Sequence, residues 1–224
     1  MKRLRWLEVE MPFSIRTFGN KLKKLAFTSE LSEGFIVDRI RDTYLEARYV
    51  EKIPIHEVGQ DPLGNEYVFE RVDYRQTEFR VSKDYPHLEL ANAPRGIQGF
   101  TSRLTEIGDF ALSISGIETD VLRWAEKLNK VFPDQFMVDL AQASGLVIED
   151  NVTARVIING TVDVRGALDR FTSKSRPGVD RLQIRFNRGH EVARAILFSD
   201  GAARVINDPT QELAPMLRKT LAEI

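Results

Sequence analysis

Apolar and polar residues alternate along much of this chain, and alternation marks strands rather than helices. From Thr43 to Asn92, Tyr44, Tyr49, Val50, Ile53, Ile55 and Val58 mark one extended run. Gly59 to Asn65 reads as a loop, and Tyr67, Phe69, Val72, Tyr74, Phe79 and Val81 resume a strand. The pair predicts a long antiparallel hairpin, followed by a third strand over His87–Leu90. Helical spacing replaces alternation over Ile97–Ile107 and again over Val121–Val131, where Thr119 is the predicted N-cap. Between them, Phe110, Leu112 and Ile114 alternate as a strand. Residues 1–33 offer one short helix, with Phe18, Leu22, Leu25 and Ala26 on its apolar face. Residues 134–150 read as a connector with room for a short helix.

The last third is the most sharply punctuated stretch. Val152, Ala154, Val156 and Ile158 alternate, Asn159-Gly160 turns, and Val164, Leu168 and Phe171 predict a short helix from about Asp163. Leu182, Ile184 and Phe186 alternate with Arg181, Gln183 and Arg185. The apolar runs Ala193–Phe198 and Ala202–Ile206 flank Ser199-Asp200-Gly201, a strong hairpin signal because glycine accepts positive φ without steric cost. A last helix carries Leu213, Met216, Leu217 and Leu221. It poses a difficulty, because a start at Pro209 would bury Pro215 in its interior and kink it. The pattern predicts an α+β protein with antiparallel sheets packed on helices. Two subdomains are expected, 1–140 with the long hairpin and 145–224. Residues 79–131 and 152–224 both read as strands flanking a helix and ending in one, without a residue-level repeat.

Composition narrows the classes. No apolar run approaches the ~18 residues of a membrane span, and Met1–Trp6 has no apolar segment behind its positive charges, so no secretory signal and no membrane partner are expected. Cysteine is absent and the three histidines are far apart, so no disulfide, structural zinc or other cofactor is expected, and a cytoplasmic location fits. The net charge of −1 hides an uneven distribution. Counting Lys and Arg against Asp and Glu, residues 1–41 carry about +4, 42–150 about −9 and 151–204 about +5. Basic ends around an acidic middle imply either a local anionic partner or self-association.

The run Arg176-Pro177-Gly178-Val179, then Leu182 to Phe186, then Ala195 to Val205 resembles one repeat of the TATA-binding-protein-like fold. The resemblance covers about a third of the chain and rests on a strand with an arginine, a strand ending in Ile-Leu-Phe-Ser before a tight turn, a further strand and a helix. It implies a curved antiparallel sheet backed by helices, a surface that in the eukaryotic members enters the DNA minor groove with phenylalanine wedges. Phe198 matches one wedge position. Pro177 stands at the companion position, and no second repeat is evident, so a full kinking function does not carry over.

The physical reading stands beside the resemblance. Arg176, Arg181, Arg185, Arg194 and Arg204 fall on or beside neighbouring predicted strands. On a shared face they would neutralise phosphates, with Phe198 available for stacking; on a wet strand face they would only be solvated, and Phe198 would be core. Register decides, since a one-residue slip exchanges the faces. Catalytic signals are thin. There is no G-x-G-x-x-G, P-loop or G-x-S-x-G motif. Glu70, Asp73 and Glu78 with Arg80 and Lys83 are the nearest thing to a nuclease cluster, which needs carboxylates converging on a metal. His56 and His190 read as surface histidines. The expectation is a non-catalytic binding or accessory protein contacting DNA or RNA through the C-terminal sheet. A protein-interaction subunit, homo-oligomeric or within a larger complex, and a divergent metal-dependent nuclease or hydrolase are the alternatives.

Overall fold

The computed structural model describes residues 1–94, 96–133, 135–172, 178–188 and 191–224. Arg176, Pro177 and His190 lie outside them, as do the side chains of Thr172 and Arg188. The chain is mixed α+β with antiparallel strands, and it divides into two compact units, Val9–Ile114 and Met1–Glu8 with Ser115–Ile224. Among the described residues no helix is long and apolar enough to cross a membrane.

The Val9–Ile114 unit is built on α1 (Ile15–Lys24), β2 (Glu33–Ile40), β3 (Tyr44–Gln60), β4 (Glu66–Ser82), β5 (Leu88–Ala91) and α2 (Gln98–Ile107). β1 (Lys2–Glu10) and β6 (Ser113–Gly116) straddle its boundaries. Ser14 caps α1 by accepting from the Thr17 backbone N–H. The predicted hairpin is present as β3 and β4, paired without interruption from Tyr44–Ser82 to Gln60–Glu66. Its base packs Phe35, Tyr49, Phe79 and Phe100 as an aromatic cluster, with Phe35–Tyr49 and Phe79–Phe100 centroids 5.0 Å apart. Burial first, then the Glu33 carboxylate that accepts from its hydroxyl, pushes the Tyr49 phenol above its ordinary range. β2 pairs β3 only as far as Glu51, and β5 pairs β4 only from Glu78 onward. The outer half of the hairpin is therefore a two-stranded ribbon.

The other unit contains α3 (Val121–Val131), β7 (Phe136–Glu149), β8 (Val152–Asn159), α4 (Arg165–Thr172), β9 (Gly178–Arg188), β10 (Glu191–Phe198), β11 (Ala202–Ile206) and α5 (Leu213–Leu221). Its strands run in the order β1-β11-β10-β9-β7-β8. Alternation sends Leu182, Ile184, Phe186, Ala195, Leu197, Ala203 and Val205 to one buried face. Trp6 and Trp124 meet edge to face there at 5.6 Å, and the Trp124 indole N–H donates to the Leu217 carbonyl and Thr220 hydroxyl at 3.2 and 3.1 Å. These contacts dock α3 and α5. Gly201, at φ +70°, closes the β10–β11 turn; a Cβ there would lie 2.9 Å from the Ile117 Cβ, so a side chain is excluded twice over.

Four expectations change. Residues 1–33 contain β1 as well as the helix, because Leu4, Trp6 and Val9 are buried along an extended segment. Residues 134–150 are not a connector; from Phe136 onward they form β7, paired on both sides. The N-cap of α3 is Asp120, which accepts from the Leu122 and Arg123 N–H groups, rather than Thr119. The strand expected at Phe110–Ile114 starts at Ser113, since Asp109 and Phe110 take left-handed φ values of 54° and 58°. The Pro215 difficulty dissolves. It is the third residue of α5, in the first turn, where a backbone N–H has no helical acceptor.

Asp163 anchors the start of α4 by accepting from the Arg165 N–H and guanidinium and from the Val138 N–H. Burial alone would raise its pKa, but the Arg165 hydrogen bonds outweigh it and hold the carboxyl below its ordinary value. A folded pKa below the unfolded one contributes stability that is complete above the unfolded value and lost as pH falls through the folded value. Asp163→Asn is therefore expected to destabilise the protein at neutral pH and to converge with wild type under acid. Urea midpoints measured from neutral pH down to about pH 3 check this.

Candidate nucleic-acid interface

The sheet face opposite the two tryptophans is where the arginines gather. Directly paired residues of an antiparallel ladder share a face. β9 pairs β10 with Arg181 opposite Phe198, Gln183 opposite Ile196 and Arg185 opposite Arg194. β10 pairs β11 with Ile196 opposite Arg204. β11 pairs β1 with Arg204 opposite Arg3 and Ala202 opposite Arg5. Arg181, Arg185, Arg194, Phe198 and Arg204 thus lie on one face, joined by Arg3 and Arg5, which the sequence reading missed because β1 was not recognised. Arg155 of β8 extends the same face through Ser144, whose hydroxyl accepts from its Nε at 2.9 Å.

The environments of these arginines differ. Arg185 is held by Asp139, 95% buried, at 2.9 and 3.2 Å, and Gln183 donates to the same carboxylate at 3.0 Å. This guanidinium is neutralised and structural. Arg5 has Asp200 at 4.0 Å, the limit of a useful contact. Arg181, Arg194 and Arg204 make no salt bridge to a described residue. The Nε atoms of Arg5 and Arg181 are buried and have no hydrogen-bond partner among the described residues. Around Phe198, the guanidinium carbons of Arg204 and Arg181 stand 5.2 and 5.9 Å from the ring centroid, within cation–π range. Phe198 is partly exposed, so it is not a core residue. Ile196, on the same face, is 6% exposed, so this face is not uniformly open to solvent.

In the same unit, Glu118, Asp120, Asp180 and Asp200 line a cleft of about 590 Å³. Asp180 is occupied by the Ser144 hydroxyl and by Gln142 at 3.4 Å. No group of three His, Cys, Asp or Glu among the described residues is placed to hold a metal ion. Glu70, Asp73 and Glu78 do not converge. They lie along β4, where alternation turns Asp73 to the face opposite the other two; Glu70 pairs with His56 at 3.2 Å and Asp73 caps the Tyr74 N–H.

A second feature lies in the other unit. Along the β3–β4 ribbon Val58, Tyr67, Val68, Phe69, Val72 and Tyr74 are each more than half exposed. Their alternation is that of a sheet with two wet faces, which sequence alone reads as one wet and one buried. Compared with known proteins, this chain matches no family model and no curated sequence.

Proposed function

We propose that this protein binds nucleic acid without catalysis, through the arginine face of the β1-β11-β10-β9-β7-β8 sheet. The observation that carries the reading is the set Arg181, Arg194 and Arg204, aligned by register on one face and without a carboxylate partner among the described residues. Positive charge repeated on neighbouring strands can neutralise several phosphates, and released counterions supply the affinity. The test is fluorescence anisotropy with labelled oligonucleotides across a salt series. Affinity that falls steeply and linearly on a log–log plot is expected; no binding at low salt overturns the proposal.

The ribbon supports a second reading, self-association. Beyond Gln76 toward the tip, no strand among the described residues pairs with the outer edge of β4. Antiparallel pairing with a second copy about Val72 would set Arg71 opposite Asp73 and Phe69 opposite Arg75, both favourable cross-strand pairs. Sedimentation equilibrium is expected to find a dimer that Val72→Lys converts to monomer. A wild-type monomer at high concentration removes this reading, and leaves the arginine face untouched.

A further inference from the structure

One row across the arginine face has a shape that the others lack. Arg181 stands opposite Phe198. Continuing the β10–β11 register sets Ala202 on the other side of Phe198, and Arg5 pairs with Ala202. The row reads arginine, phenylalanine, alanine, arginine. With strands about 4.8 Å apart, Phe198 and Arg5 are separated by roughly 10 Å, and the register places Ala202, with no more than a methyl group, between them in the row. Ala202 and Phe198 are both partly exposed, so solvent reaches the floor and the ring. The unpartnered buried Nε atoms belong to Arg181 and Arg5, the residues at the two ends of the row.

We infer that this row is a stacking slot for an unpaired nucleobase, which makes the ligand of the arginine face a single-stranded nucleic acid. The inference rests on the polyanion reading and narrows it. An exposed ring can stack on any base, because every base has a π-face, but only when the base is free of its partner strand. The helices α3 and α5 pack against the opposite face, so neither is offered here to a major groove. Arg204, in the next row and 5.2 Å from the Phe198 ring, is placed to meet the phosphate of a nucleotide stacked beside it.

The experiment is anisotropy with one sequence in three forms: single-stranded DNA, single-stranded RNA and duplex DNA, at matched salt. Wild type is expected to hold the single strands about tenfold or more tighter than the duplex. Phe198→Leu keeps an apolar group and removes the π-face; it is expected to lose about tenfold on single strands and to leave duplex affinity within about twofold. Its salt slope should match that of wild type, since no charge is removed. Ala202→Leu fills the slot and should reproduce the loss, with thermal melting as the control for folding. Equal or tighter duplex binding by wild type, or a Phe198→Leu protein indistinguishable on single strands, overturns the slot while the polyanion face stands. Wild type that binds none of the three at low salt overturns both.

Discussion

Arg181→Glu with Arg204→Glu is expected to weaken single-strand binding by at least about a hundredfold at low salt. A hydrogen bond from a charged donor contributes about 1.5–3 kcal/mol, so removing two costs at least about 3 kcal/mol, and the added negative charges repel the same phosphates. The neutral pair Arg181→Gln with Arg204→Gln should lose less and reveal its cause in the salt dependence. Each lost phosphate contact lowers the log–log slope by about 0.7 on a single strand, so the slope should fall by about 1.4. The Arg204 head projects from an exposed position and neither side chain is tied to a described carboxylate, while the Arg181 Nε is buried, so thermal melting of the variant is the control for folding. Arg185→Gln is the contrasting variant. Its guanidinium already answers Asp139, and its loss should lower stability more than binding. A doubly reversed protein that binds like wild type would remove the arginine face from consideration.

Trp124→Ala is expected to cost about 4 kcal/mol of folding stability, the largest single-residue effect in the sheet-and-helix unit. Trp124 is fully buried, meets Trp6 at 5.6 Å and sends its N–H to α5. Truncation opens a cavity at the junction of α3, α5 and β1 and leaves the Leu217 carbonyl without that donor. Trp124→Phe restores most of the volume without the N–H and should cost about half as much. Urea unfolding followed by far-UV circular dichroism measures both. A loss under about 1 kcal/mol for Trp124→Ala would mean that the tryptophan pair does not hold the helices to the sheet. By contrast, Phe69→Ser on the ribbon removes a half-exposed ring and should leave stability nearly unchanged.

Much of the fold was legible because its signals are local. The Ser199-Asp200-Gly201 turn, the alternation of Leu182, Ile184 and Phe186, and the helical spacing of Val121–Val131 all act within a few residues, and each element stands where its pattern indicated. β1 and β7 were not legible. Each is flanked by strands distant in sequence, β11 for one and β8 with β9 for the other, so their partners and not their own composition make them strands.

The arginines divide in the same way. Their presence on amphipathic strands was plain, since polar residues alternate with Leu182, Ile184, Ala195 and Val205 along the chain. Which of them is spent was not: the fold brings Asp139, more than forty residues away, onto Arg185, and leaves Arg181, Arg194 and Arg204 without such a partner among the described residues. The sequence by itself determined the elements and the alternation that gives each strand a charged and an apolar side. The tertiary structure decided the register that aligns those sides and the charges that meet across it, because pairing between distant segments is a property of contacts that no local pattern encodes.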